Sequence, residues 1–265
     1  MVEQQKVHSS ALQCLAVWMG KRDSSAETCL HAEALVLRVE SNGTHASQAG
    51  REFRFLTDDS SLNFHVTKIQ IAPVGNQSLA SALVTSSKYC GWIVLLNMGD
   101  QWQCISATFS PPSVCTTPQD YQDVIQLTWD GYSRANRMCD GKKMATVFHP
   151  MCRLTEATDV CNDTSTTRSL FLKNQTEFCE LVTKRYDDPN SRHYPFRQLK
   201  DDLSFLSQYD SLLSIDFATD RVALVTLRIG HPPCLWTDYL TVAKISSQWW
   251  IVHKSSCSEP FPEMK

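Results

Sequence analysis

Apolar positions in the first hundred residues switch from a helical period to a two-residue period, and the same switch is made again in the second half of the chain. Leu12, Leu15, Val17, Trp18 and Met19 predict a helix over about 8–20 that ends near Gly20. A second short helix is expected at Ser24–His31, then an extended run at 34–40 and a polar loop, SNGTHASQAG, turning at Asn42-Gly43. After a short segment at 51–56 come three runs with strand character: Phe64–Ala72, Leu79–Thr85 and a hairpin through Trp92–Phe109.

The join is Ser110-Pro111-Pro112-Ser113. Beyond it, Thr117 as N-cap, Pro118 at the first helical position and Asp120 in the first turn open a helix whose apolar face, with Val124, Ile125, Tyr132 and Ala135, carries it to about Met138. Asp140-Gly141 breaks it. A short helix at Lys142–Phe148, an extended run at Met151–Glu156, a Ser/Thr loop at Asp163–Thr167 and a helix from about Ser169 to Arg185 follow. A polar crossing, Tyr186–Asp201, leads to strands at Leu212–Phe217 and Arg221–Ile229 and to a closing hairpin at Asp238–Cys257, turning at Ser246-Ser247.

That hairpin has a double. Trp92, Gly99-Asp100 and Gln101-Trp102 stand 147 positions before Tyr239, Ser246-Ser247 and Gln248-Trp249. A tandem repeat is therefore expected, with one unit at 1–112 and another at 113–265. Composition narrows the classes. The chain has 265 residues, 42% of them hydrophobic, and a net charge of −3, with no Lys/Arg run longer than two, so nucleic acid finds no cationic footprint. Eleven cysteines without a C-x-x-C pair or metal-like cluster read as buried thiols, and no metal or cofactor is expected. No apolar run reaches about 18 residues and the N-terminus lacks a signal-peptide build, so a cytoplasmic protein with no membrane partner is expected. On that ground the sequons at Asn42, Asn76, Asn162 and Asn174 are set aside as chance.

In its order of elements the second half, with Cys139-Asp140-Gly141 at the helix turn, Met144–Phe148, the Phe148-His149-Pro150 step and the Gln248-Trp249 hairpin, resembles the nuclear transport factor 2-like superfamily, in its SnoaL-like or putative lumazine-binding branch. The first half is similar more weakly, through Arg22-Asp23 and Leu30-His31. The resemblance implies an α+β fold of two tandem cone-shaped barrels, each a curved mixed sheet wrapped by helices. It also implies an internal pseudo-dimer, hence a monomer. Isomerase members of the superfamily place a tyrosine, a general-base carboxylate and a further acid at positions that fall here on Tyr132, Glu156 and Asp238. A buried phenol and a protonated carboxyl could hold an oxyanion while a second carboxylate moves a proton. Phe148, His149 and Trp236 join them as expected pocket residues.

In the first half the equivalent positions hold Leu15 (or Cys14), Arg38 (or Val39) and Gly91, so a ligand is expected in the second cone. Each candidate also has a structural reading. Tyr132 can be a core phenol, Glu156 a strand end entering solvent, Asp238 a turn residue, His149 a helix-end residue, and Trp236 a core or interface aromatic like Trp249-Trp250. Three functions stay open: a protein that binds a small, largely apolar molecule, an isomerase- or dehydratase-like enzyme using Glu156, Tyr132 and Asp238, and a non-catalytic scaffold for a protein partner. The dehydratase variant fits less well, because Asn136-Arg137 replaces its Tyr-Asp pair.

Overall fold

The computed structural model describes residues 1–20, 26–55, 62–72, 79–99, 101–113, 116–158, 169–199 and 207–262. Helix α1 spans Val2–Trp18, and a 3-10 turn at Ala26–Cys29 leads into the first six strands. These are β1 Leu30–Val39, β2 His45–Ala49, β3 His65–Ile71, β4 Leu79–Thr85, β5 Cys90–Asn97 and β6 Trp102–Ser110, in the order β2-β1-β6-β5-β4-β3. The second half repeats this. A helical run from α2 (Pro118–Ile125) through a π-helical stretch (Gln126–Ser133) to α3 (Arg134–Arg137) is followed by α4 (Gly141–Ala145), β7 Phe148–Thr158, β8 Ser169–Asn174 and α5 Gln175–Lys184. Then come β9 Ser211–Phe217, β10 Val222–His231, β11 Cys234–Ile245 and β12 Gln248–Pro260, in the order β8-β7-β12-β11-β10-β9. Raising every strand number of the first sheet by six gives the second. Each sheet is antiparallel except at one parallel pair, β1 with β6 and β7 with β12. This is α+β, two mixed sheets each with its helices; both sheets are open, so neither unit is a closed barrel.

The capping signals act as expected at the second repeat. Thr117 and Asp120 form a reciprocal capping box, and Asn174 with Glu177 forms another at α5. Ser246 and Ser247, both at positive φ (48° and 67°), make the two-residue turn that matches strand twist. Three expectations are corrected. His45–Ala49, expected as loop, is a strand: its backbone pairs antiparallel with β1 while its side chains stay exposed or half-buried, so no apolar alternation marks it. Ser169–Asn174, expected as the start of a helix, pairs instead with β7, and the capping box delays α5 to Gln175. Helix α1 begins at Val2 rather than near 8, because its first two turns face solvent and bury only Val7. The expected loop at Asp163–Thr167, the first residues of the expected helix at Ser24–His31 and Asp100 of the first hairpin turn lie outside the described residues.

Alternation on the central strands gives each sheet two buried faces. In β5, Ile93 and Leu95 face α1, Trp18 and a ring of aromatics, whereas Trp92, Val94 and Leu96 meet Val222, Leu224 and Tyr239 of the other sheet. A second apolar patch joins Leu37 and Val39 to Ala243, Ile245 and Val252. Polar ties cross the same seam. The Trp92 indole N–H donates to the Asp216 carbonyl at 3.1 Å, Gln70 donates to the Asp216 carboxylate at 2.7 Å, Lys68 pairs with that carboxylate, and Ser246 N–H donates to Gly43 O at 3.2 Å.

The cysteine reading needs one change. Eight described cysteines are free thiols, all but Cys90 buried, but Cys234, the first residue of β11, is disulfide-bonded. Sequence spacing could not show this, because pairing depends on Cα positions set by the fold. As disulfides are uncommon in a reducing cytosol, the cysteines as a set do not argue for that compartment. Among the described residues no helix is long and apolar enough to cross a membrane.

The two repeats use one device at the hairpin. Trp102, 2% exposed, donates its indole N–H to Glu3 at 3.0 Å, and Trp249, 4% exposed, donates to Asp120 at 3.4 Å. Glu3 and Asp120 are equivalent, 117 positions apart, so each closing hairpin is tied to the opening helix of its own repeat. Truncating either indole removes a buried aromatic and one donor to an acid that keeps others, Lys6 for Glu3 and Lys244 and Thr117 for Asp120. Trp102→Ala and Trp249→Ala are each expected to lose about 3–5 kcal/mol in chemical denaturation. A variant that unfolds at the wild-type midpoint contradicts this packing.

Candidate functional site

Strand register builds the site. Glu156 of β7 and Asp238 of β11 both pair with Ser256 of β12, which lies between them, so the three stand in a row across adjacent strands. Lys254 stands two residues before Ser256, on the same side of the strand. Over this face lies the π-helical stretch carrying Tyr132. The stretch can press close because Gly131 has no side chain; a Cβ there would lie 2.6 Å from Val147 Cγ1. Helix α5 and the segment after it cover the other side. Between them is a cavity of about 610 Å³ whose wall includes Tyr132, Glu156, Trp236, Asp238 and Lys254.

Its floor is a buried polar chain. The Tyr132 hydroxyl donates to Asp238 Oδ2 at 2.6 Å, and Asn136 Nδ2 donates to that hydroxyl at 3.4 Å. Lys254 Nζ pairs with Asp238 Oδ1 at 2.9 Å, donates to Ser256 Oγ at 2.9 Å and lies 5.4 Å over the Phe178 ring. Burial first, and then the charge of Asp238, hold the Tyr132 phenol well above its ordinary pKa, so it stays a donor. Nearer the mouth, Glu156 lies 3.5 Å from Arg192, whose guanidinium is 5.6 Å from the centre of the Trp236 ring. Burial raises the Glu156 carboxyl above the ordinary carboxylate value, against the opposing pull of Arg192 and Lys254. On the far wall, His231 Nδ1 shares a hydrogen bond at 3.2 Å with Tyr186 behind it, and His193 Nδ1 contacts the Pro232 carbonyl at 2.7 Å. Burial holds the His193 pKa down at about 3 and that of His231 well below its usual value, so both rings are neutral.

Tyr132, Glu156, Asp238 and Trp236 thus share one cavity. Phe148 stands behind it as core, edge-on to Tyr132 at 5.8 Å. His149 points elsewhere: its ring packs on His45 and Trp250, at the seam between the repeats. The alternation of β7 explains the split, since residues 148 and 149 face opposite sides of a strand. Asp238 accepts from Tyr132 and is ion-paired with Lys254, an arrangement unlike the donor an oxyanion hole requires. The wall is also more charged than that of a largely apolar pocket. Lys254, Arg185, Arg192, Asn136 and His231 escaped the sequence reading; the one signal was HKSSCS, an unusually polar run for a strand that closes a sheet between two buried faces. Among the described residues no group of three His, Cys, Asp or Glu is placed to hold a metal ion.

The first repeat shows what fills the same place. There β1 and β5 bracket β6 as Arg38–Phe109–Gly91, the register of Glu156–Ser256–Asp238. Phe109 packs among Trp18, Phe53, Phe55 and Phe64 where the second repeat has cavity. Gly91 is required by that packing, because a Cβ would sit 2.0 Å from Thr108 O and 2.7 Å from the Phe109 ring. Leu15, in the place of Tyr132, is plain core.

A family model described as Putative lumazine-binding matches residues 120–255. Among solved structures, an NTF2-like protein of unknown function from Shewanella baltica OS155 is similar at 13% identity, over 56% of this chain and 100% of its own, with a TM-score of 0.41. An NTF-2 like protein of unknown function from Silicibacter pomeroyi DSS-3 is similar at 14% identity over 55% and 100%, TM-score 0.40. A ketosteroid isomerase-like protein from Erwinia carotovora atroseptica SCRI1043 is similar at 7% identity over 54% and 98%, TM-score 0.35. No curated protein matches the chain.

Two measurements test the site's electrostatics. Asp238→Asn leaves the Lys254 ammonium buried without its counter-ion and is expected to cost about 3–5 kcal/mol, with Asp238→Asn/Lys254→Met recovering much of the loss. A single variant as stable as wild type contradicts a buried pair. Stability is also expected to fall on mild acidification. His193, His231 and His253 are buried with pKa values below that of an unfolded histidine, the last at about 3, so the unfolded chain takes up the protons. That contribution is complete above pH ~6.5 and is lost as pH falls, by about 4 kcal/mol between pH 7 and 5.5 for three such groups. Glu156 and Asp210, whose carboxyls are raised by burial, act with the opposite sign and reduce the loss. Denaturation midpoints that stay level or rise from pH 7 to 5.5 contradict the neutral, buried histidines.

Proposed function

From the premise that the chain belongs to the Putative lumazine-binding family, we propose that its second unit, residues 113–265, binds a small molecule in the cavity between α5 and the sheet. The observation that carries this reading is the floor of that cavity, where Tyr132, Asp238 and Lys254 form a preorganised chain at 2.6 and 2.9 Å. Rigid polar groups at the base of a concave site orient a ligand, while Trp236 supplies an aromatic wall at the mouth. The first unit, residues 1–112, is read as the packing partner: its equivalent space is filled by Phe109, and its sheet covers the back of the ligand-binding sheet. The chain then acts as a monomer in which two repeats serve as each other's dimer partner. A scaffold that presents a sheet face to another protein is disfavoured, because the central faces of the two sheets are turned on each other.

A second reading, proton transfer, is favoured by the carboxyl of Glu156, raised by burial inside the same cavity. Glu156 would take a proton from a carbon next to a carbonyl. The C–H pair would move into the new C=C bond and the carbonyl electrons onto oxygen, beside the ammonium of Lys254. Return of the proton to another carbon would complete an isomerisation without any co-reactant.

Native mass spectrometry of protein purified without dialysis is expected to show a small molecule released on denaturation, and Trp236→Ala is expected to lower its occupancy by about ten-fold or more. Equal occupancy in the variant places the molecule outside this cavity. Deuterium exchange into enolisable ketones separates the two readings: exchange by the wild type that Glu156→Gln abolishes supports an enzyme, and exchange equal in both proteins removes Glu156 as a base.

A further inference from the structure

Three cations at or beside the cavity have carboxylate partners, and the buried Arg185 has none among the described residues. Lys254 has Asp238, Arg137 has Asp210 and Arg192 has Glu156. Arg185, directly after α5, is 6% exposed and has no carboxylate within 4 Å among the described residues. Its one hydrogen bond is long, Nη1 to the Asn136 carbonyl at 3.4 Å, and its Nε has no partner. The C-terminal end of α5 supplies only about half a compensating charge. The guanidinium is central to the site, since its field acts on Tyr132, Glu156, Tyr186, His193 and His231. A buried cation without a counter-ion is costly to keep, and an anion bound in the cavity would relieve that cost.

Two more buried groups of the same wall lack partners: Asn136 Oδ1, in a residue 4% exposed, and His231 Nε2, in a residue 1% exposed. The Tyr186 hydroxyl and His231 Nδ1 share a hydrogen bond that either group can donate; in the tautomer where the hydroxyl donates, the ring proton sits on Nε2, and that atom is then a second donor. Asn136 Oδ1 is an acceptor and calls for a hydroxyl or N–H.

Resting on the small-molecule reading above, we propose that the ligand carries a carboxylate that docks on Arg185 and His231 Nε2, with a neighbouring hydroxyl or amine donating to Asn136. The planar fork of a guanidinium matches the two oxygens of a carboxylate. A phosphate dianion fits less well. His193 and His231 are neutral, so the buried part of this wall presents a single guanidinium charge without a carboxylate among the described residues, and a dianion would bring a second buried charge without a partner. The class is therefore that of small 2-hydroxy or 2-amino acids with an apolar substituent toward Trp236.

Mandelate, mandelamide and phenyl phosphate, titrated calorimetrically into the full chain, separate the possibilities. Mandelate is expected to bind at least about ten-fold tighter than the other two, and Arg185→Gln to lose at least about ten-fold in mandelate affinity, with Arg185→Lys intermediate. Without probe, Arg185→Gln is expected to melt at or above the wild-type temperature, because it removes an unpaired buried charge; an arginine with a structural role would lower it. The proposal is overturned if mandelamide binds as well as mandelate, if phenyl phosphate binds more tightly, or if Arg185→Gln keeps mandelate affinity or melts below wild type. Silence from all three probes at tens of millimolar also overturns it. The small-molecule reading is decided separately by the molecule released from wild type and Trp236→Ala: that molecule present, with no carboxylate selectivity, leaves the cavity reading standing and removes this one.

Discussion

Everything in this molecule depends on the central strands being covered on both faces. A strand that alternates Trp92, Val94 and Leu96 with Ile93 and Leu95 has no face to give to water. Helices take one face; only another sheet is flat enough to take the other across its whole area. The repeat supplies that second sheet within the same chain, and the seam is fixed further by indole, amide and ammonium donors that all converge on Asp216. Once the backs of the sheets are committed to each other, the helix-covered faces are the remaining interior in which a cavity can form.

Much of this was legible in the sequence, because alternation and capping are local. Leu79–Thr85 was read to the residue, and Thr117-Pro118 marked the start of a helix that does begin there. The repeat offsets also carried over into register, Glu156–Ser256–Asp238 against Arg38–Phe109–Gly91. What failed was non-local. β2 owes its existence to hydrogen bonds with β1 and has no apolar side chain pattern to announce it, and Ser169–Asn174 reads helical only until the box at Asn174 and Glu177 is allowed to set the start. The bond at Cys234 and the buried histidines belong to the same class.

At the site, the residues found by resemblance were the strand and helix positions that point inward; the ones missed supply charge. Lys254 and Arg185 are long cationic side chains, which by residue type are expected at a surface. Their burial follows from where α5 lands and how β12 twists past its bulge between Thr241 and Val242 in the pairing with β11. No pattern within either segment announces it. A hydrophobicity pattern therefore finds the cone and misreads its contents as apolar.

The difference between the repeats comes down to a few side chains at one register position. In the first, Phe109 projects where Ser256 stands in the second, and an aromatic ring of that size, joined by Trp18, Phe53, Phe55 and Phe64, fills the cone. The Thr108 carbonyl and that ring together exclude even a Cβ at position 91, so no acid can occupy the place of Asp238. In the second, the small Ser256 leaves room for Glu156 and Asp238 on either side, and their carboxylates then require cations, which Lys254 and Arg192 provide. Size at one position thus decides whether a cone becomes core or cavity. Charge follows from that choice, because a cavity floor built of carboxylates is stable only when paired. One apolar cone gives the molecule its packing, and the polar one, relieved of that task, can hold the Arg185 guanidinium, which has no carboxylate partner among the described residues, in the wall of its cavity.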